Sequence, residues 1–165
     1  MNLSISKPVQ ILSNSSRDRA LRTVIFQVFE HLFAIPVGAV EKIVVCPPIT
    51  NKISRGIGIV SLDSQTVTVV DLRYKFDRDF SAASLELSSR QFLILIRTES
   101  GESCGILVAS PPFLKDLPIS SIQPIPVSYR EVMDIELVNY MAILTDEGKG
   151  VRNIFILGME RILIS

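Results

Sequence analysis

The sequence predicts an all-β protein. Three observations carry this: apolar, β-branched segments of four to seven residues recur along the chain, turn-forming residues bound them, and no helical periodicity lasts beyond two or three turns. Short strands at regular spacing point to a barrel or a sandwich, and away from βαβ units. Cys46-Pro-Pro48 and Ser110-Pro-Pro112 each follow a strand-like run. If these abrupt stops fall at matching places in two halves, the chain suits two similar small barrels.

Residues 1–21 are mixed and polar, with Ser13-Asn-Ser-Ser16 followed by Arg17-Asp-Arg19, and read as a flexible arm that lends at most one strand at Lys7–Leu12. Residues 22–165 read as a single domain. Four hairpins follow. Val24–Phe29 and Leu32–Ile35 flank a turn at Glu30-His31. Ile57–Leu62 pairs with Thr66–Leu72 around a tight polar turn at Asp63-Ser64-Gln65. Phe92–Arg97 and Cys104–Ala109 flank Thr98–Ser103, and Tyr140–Thr145 and Asn153–Leu157 flank Asp146–Gly150. Glu41–Val45 and Ser121–Ile125 are shorter strand candidates. Asp77–Arg90, rich in Ser, Ala and Asp, predicts a short helix between the halves, with Leu85 and Leu87 toward the core. Leu157–Leu163 predicts a second helix at the end of the chain.

A chain of 165 residues, 47% hydrophobic and 21% charged, can bury one substantial core. Its seventeen basic and seventeen acidic residues cancel, so no global field draws it to nucleic acid or an anionic membrane. With no tryptophan and three tyrosines it also lacks the aromatic platforms of a single-strand-binding barrel. Apolar runs such as Phe92–Ile96 are strand-length, and the N-terminus has no secretory pattern, so a cytoplasmic protein without membrane insertion is expected.

No enzyme is expected either. There is no Gly-x-Ser-x-Gly elbow and no phosphate-cradling glycine loop. Asp63, Asp71 and Asp77 are too far apart for a calcium loop, and the single histidine, His31, reads as a turn residue. Cys46 and Cys104 belong to no Cys-x-x-Cys pair and read as reduced thiols near apolar surroundings. No catalytic residue, metal or cofactor is predicted.

The segment Gly58–Phe76 is the most informative stretch. It resembles the signature hairpin of CheW-like domains, chemotaxis adaptors in which a glycine, two apolar residues, Asn-x-Arg-Gly, an apolar run and Pro-Val-x-Asp-Leu-Arg follow one another. Gly58, Val69, Asp71, Leu72 and Arg73 fall in register with that pattern. The Asn-x-Arg-Gly turn is rewritten as Ser61-Leu62-Asp63-Ser64, and Thr68 replaces the following proline. Val24–Phe29 with Phe33–Val37 resembles the family's opening strands, and Val40-Glu-Lys-Ile43 is similar to its Val-x-Glu-Ile element. Gly105–Val108 resembles its Gly-Leu-x-Val strand, with Ala109 where an aspartate is usual. Ile122–Pro126 and Phe155–Leu157 resemble the late loop and terminal strand, so the likeness runs from Val24 to about Leu163.

The resemblance implies two small five-stranded SH3-like barrels packed across an apolar seam. It also implies a non-enzymatic adaptor in two-component signal transduction, joining a chemoreceptor's cytoplasmic tip to the regulatory domain of a CheA-type histidine kinase. The motility organ served is open: flagella, phototaxis or pili. The alternative is a stand-alone interaction domain of the same fold. Gly58, Val69, Asp71, Leu72 and Gly105 are the expected structural positions, Asp71 by accepting N–H bonds from the loop after it. Leu62, Asp63, Ser64 and Arg73 are the expected partner-facing residues, with Arg73 on the surface or paired to Asp77 or Asp79. Val44, Val45 and Ile49, beside the Cys46-Pro-Pro48 break, are candidates for the kinase contact. Asp63 reverses the charge of the family's arginine, which puts binding to a conventional receptor tip in doubt. Ser64 removes the glycine that permits unusual backbone angles.

Overall fold

A computed structural model describes residues 19–49, 51–77, 91–98, 100–129 and 137–158, with the side chains of residues 51–54 left aside. The described residues form twelve strands: β1 (Ala20–Val28), β2 (His31–Pro36), β3 (Val40–Val45), β4 (Asn51–Ser54), β5 (Ile57–Leu62), β6 (Gln65–Val70), β7 (Phe92–Arg97), β8 (Ser103–Val108), β9 (Phe113–Pro118), β10 (Ile122–Pro124), β11 (Val138–Asp146) and β12 (Gly150–Leu157). One four-residue helix, α1 (Arg73–Phe76), follows β6.

The strands form two six-stranded sheets. Sheet A runs β10-β11-β12-β2-β1-β9, and sheet B, taken from its β4 edge, runs β4-β5-β6-β8-β7-β3. The two orders correspond strand for strand. In each, a hairpin (β1–β2 or β7–β8) lies antiparallel to a lone strand on one side and parallel to the hairpin's other neighbour. The chain is therefore two pseudo-equivalent halves, β1–β6 and β7–β12. Each half gives its opening hairpin to one sheet and its remaining four strands to the other, so the halves interlock.

That exchange explains the hydrophobic pattern. Thr23–Phe26 in β1 and Leu93–Ile96 in β7 are buried at every position. A strand covered on both faces reads as a continuous apolar run. Alternate residues of these hairpins serve different cores. Ile25 and Ala34 point into barrel A with Leu117, Ala142, Ile154 and Ile156. Leu93 and Leu95 point into barrel B with Val60, Val67, Val69 and Leu107. Val24, Phe26, Phe33 and Ile35 meet Ile94, Ile96, Cys104 and Ile106 in the seam, the largest of the three clusters. β5 is covered on one face only, and its residues alternate between exposed and buried from Ile57 to Val60.

All four expected hairpins are present, with differences in detail. The first turn is Phe29-Glu30, because Val28 pairs with His31 and the histidine opens β2. The second is the two residues Asp63-Ser64, with Gln65 already in β6. Each sheet has six strands where five were expected. The extra strands, β4 and β9, escaped notice because β4 is short and β9 carries Lys115 and Asp116. β9 is held by pairing to β1, more than ninety residues away: Thr23 Oγ1 donates to Lys115 O at 2.7 Å. β1 begins at Ala20, two residues inside the expected arm.

The Pro-Pro stops are not equivalent. One ends β3, a lone edge strand, and the other ends β8, inside an exchanged hairpin. The strand expected at Lys7–Leu12 and most of the two expected helices lie outside the described residues, although Leu157 itself ends β12. Cys46 and Cys104 are free thiols.

Candidate partner-binding surfaces

The exit of β6 is the most tightly specified local structure. Asp71 is fully buried, and its carboxylate accepts three hydrogen bonds from Arg73: backbone N–H to Oδ1 at 3.1 Å, Nε to Oδ1 at 2.9 Å and Nη2 to Oδ2 at 2.7 Å. The guanidinium fork matches both carboxylate oxygens, and the backbone bond fixes the turn that starts α1. The expected backbone acceptance by Asp71 is thus present. The expected placement of Arg73 needs correction. Its side chain is only 11% exposed and pairs with the Asp71 carboxylate, while Asp79 lies outside the described residues. A buried carboxylate needs a cation and hydrogen-bond donors at hand, and the residue two positions on supplies both.

Gly56, which the sequence reading missed, closes this clasp from the other side. Asp71 N–H donates to Gly56 O at 2.7 Å. Gly56 has φ 79°, and a Cβ there would lie 2.8 Å from Tyr74 Cβ and 3.0 Å from Asp71 O. The Arg55-Gly56 dipeptide was a turn signal, but nothing in the sequence showed that this turn abuts α1. Gly58 is buried opposite Val69 in the β5–β6 ladder, and Leu72 is fully buried in the seam. Gly105 lies opposite Leu95, and a Cβ there would press on Leu93 Cδ2 at 3.2 Å. The five expected structural residues therefore sit in or against packed interior.

Arg73 also lines an apolar cleft of about 190 Å³ where the barrels meet. Its other walls are Gln27, Val28 and Phe29 at the end of β1 and Leu107, Val108 and Ala109 at the end of β8. The two exchanged hairpins thus flank one cleft, with Phe29 half exposed at its rim and held at φ 54°. No local pattern announces this site, because its walls come from chain segments some eighty residues apart.

The rewritten turn stands at the far end of the β5–β6 hairpin. Asp63 and Ser64 have φ 49° and 64°, the pair of left-handed residues that a two-residue hairpin turn demands and that Asn-Gly or Asp-Gly meets most easily. Leu62, just before, is half buried and packs into barrel B. The Asp63 side chain is 76% exposed and pairs with Lys42 on β3, Nζ to Oδ2 at 2.8 Å. Lys42 was not singled out from sequence, yet it occupies the glutamate position of the Val-x-Glu-Ile pattern.

Through Lys42 the turn meets the candidate kinase edge. Val44 and Ile49 are half buried against the barrel B core, while Val45 is 50% exposed and Ile43 40%. The structure therefore brings Asp63 to Lys42 on the strand that carries Val44 and Val45, whose side chains face opposite sides of it, Val44 toward the barrel B core and Val45 away from it. It leaves Arg73 elsewhere, at the inter-barrel cleft. Burial raises the Cys46 thiol pKa and pushes that of Cys104 up to about 12. Neither is a poised nucleophile. Among the described residues no group of His, Cys, Asp and Glu is disposed to hold a metal, and no helix is long and apolar enough to cross a membrane.

Two interlocked β-barrels with a cleft between them and an exposed sheet edge define a small double-barrel protein of the SH3-like class. The family can be stated more closely: a model of the CheW-like domain matches residues 22–165, and the chain belongs to that family. No curated protein matches the sequence. Among solved structures, the scaffolding protein TtCheW from Thermoanaerobacter tengcongensis superposes with a TM-score of 0.69 at 20% identity, over 89% of this chain and 90% of that one. At that identity the likeness establishes the shared fold.

Proposed function

We propose that this chain is a non-enzymatic adaptor that couples a chemoreceptor's cytoplasmic tip to the regulatory domain of a CheA-type histidine kinase. The observation that carries the reading is the family match across both barrels. The geometry supports it with two surfaces of different character. The apolar cleft flanked by Phe29 and Ala109 suits an inserted helical element. The β3 edge, with Ile43 and Val45 exposed, suits the flatter surface of a folded domain. A receptor in the cleft and a kinase domain on the edge would be held at a fixed mutual angle by the packed seam. Weak contacts become effective in an array through local concentration.

Isothermal titration against the kinase regulatory domain of the same organism tests the reading. Binding at concentrations on the order of tens of micromolar or below is the expected result. Silence there would leave the stand-alone interaction domain as the better account, an alternative that the altered turn at Asp63 favours.

A further inference from the structure

A second cavity, of about 680 Å³, opens on sheet A where β2 begins. Its walls follow from the strand register. β2 and β12 run parallel with Phe33 opposite Phe155, so alternation puts His31 on the face of Phe33 and Asn153 on the face of Phe155, the side that packs into the seam. Phe155 is buried and forms the floor. His31 and Tyr129 stand edge-on to it, with ring centroids 5.9 and 5.8 Å away and interplanar angles of 80° and 66°. Tyr129 arrives from the short turn Val127–Tyr129, remote in sequence from both strands. One hydrogen bond then orients the polar groups: Asn153 Nδ2 donates to Tyr129 Oη at 2.8 Å. That bond fixes which way the amide points. It leaves the phenol proton and the amide oxygen Oδ1, a donor beside an acceptor, with no partner among the described residues.

We propose that this cavity binds a small, neutral, planar heterocycle by its lactam edge, the adjacent N–H and C=O of a uracil-type or hypoxanthine-type ring. Tyr129 Oη–H donates to the ligand carbonyl, and Asn153 Oδ1 accepts from the ligand N–H, so one residue pair reads both groups of the edge. The ring body packs against the aromatic wall of Phe155, Tyr129 and His31. The volume lies within the range of about 300–1,000 Å³ usual for small-molecule sites. The charges at the rim argue for a neutral occupant. Arg152 is paired with Asp146 at 3.3 Å, and Glu30, 3.7 Å from His31 Nε2, is 85% exposed and therefore hydrated and screened. The same lactam edge occurs in free nucleosides and in single-stranded RNA. Seventeen basic and seventeen acidic residues supply no net field for a chain of phosphates, so the free heterocycle or its nucleoside is the occupant.

This site is independent of the adaptor reading and is tested without any protein partner. The full chain is titrated with uridine and inosine, and with the forms of each that are methylated on the lactam nitrogen, while its amide resonances are followed. At least one unmodified nucleoside is expected to bind with a dissociation constant below about 1 mM, with shifts centred on His31, Tyr129 and Asn153. Its methylated form, which has lost the N–H, should bind about tenfold more weakly or not at all. Tyr129→Phe keeps the ring and removes the donor, and should weaken the same nucleoside about tenfold in a protein whose circular dichroism matches wild type. The methylated ligands decide the matter on wild type alone if that variant does not fold. Absence of binding by both nucleosides up to about 10 mM overturns the proposal. Equal binding of the methylated forms overturns the lactam edge, and shifts centred elsewhere overturn the location. Tighter binding of oligouridylate, per base, than of uridine overturns the free heterocycle as the occupant.

Discussion

Barrels A and B end their equivalent strands with the same backbone bond and with different side chains. Gly158 N–H donates to Leu137 O at 2.7 Å after β12; Asp71 N–H donates to Gly56 O at 2.7 Å after β6. Around that common bond barrel B adds the Asp71–Arg73 clasp, while barrel A places a glycine with open contacts. The fold therefore needs the backbone bond at both sites and the buried ion pair at one. The clasp stands where Arg73 forms a wall of the cleft, so its evident use is to hold that wall in one geometry.

The largest expected effect tests this difference directly. Arg73→Ala strands a carboxylate that is fully buried, and should cost about 3–5 kcal/mol of stability. Gly158→Ala, at the equivalent point of barrel A, would place a Cβ 3.4 Å from Asn139 Nδ2 and 3.6 Å from Leu137 O, ordinary contact distances, and should cost less than about 1 kcal/mol. Urea unfolding of the two variants beside wild type measures both. Similar losses would mean that the clasp is replaceable packing.

A smaller effect, of opposite sign, is expected at the other end of barrel B. Asp63 and Ser64 both hold left-handed backbone angles, and serine tolerates them less readily than glycine. Ser64→Gly should stabilise the protein by about 0.5 kcal/mol, the relief of strain being partly offset by the greater freedom of glycine in the unfolded chain. The Asp146–Gly150 turn of barrel A already has glycine at both of its positive-φ positions, 148 and 150, and offers no such gain. A thermal melt that moves downward for Ser64→Gly would show that the serine is held by contacts worth more than its strain.

What the sequence disclosed follows from the range of the interactions. Hairpins were legible because β-branched runs and turn residues are local signals, and Asp71 was recognised as a strand-exit acceptor because its donor is two residues away. The exchange of hairpins between barrels was not legible. Thr23–Phe26 and Leu93–Ile96 advertise burial on both faces, but nothing in them states which sheet lies on either side. β9 was missed for the same reason, since Lys115 and Asp116 break its pattern and its partner β1 is remote. At the candidate site Asp63 was flagged by its charge alone. Its counterpart Lys42, twenty-one residues earlier, acquires meaning only once barrel closure brings β3 to the β5–β6 turn.

At neutral pH the smallest effect concerns the seam, where the two exchanged hairpins place unlike residues at equivalent points: Phe33 on β2 and Cys104 on β8, both fully buried. Phe33 stacks on Phe26 and Phe76, whereas the Cys104 thiol packs as a small apolar group. Burial pushes the Cys104 pKa from 9.0 to about 12, so between those values the folded thiol stays protonated while an unfolded one ionises. The unfolded state then binds fewer protons, and stability falls as pH rises through that window. Cys104→Ala should flatten this part of the profile. The same burial predicts two rates of alkylation at neutral pH. Cys46, half buried at the end of β3, should react first, and Cys104 only as the seam opens. Mass spectrometry of iodoacetamide-treated protein over time separates the two sites. Equal rates at both would mean that barrel B detaches from the seam far more often than its packing implies.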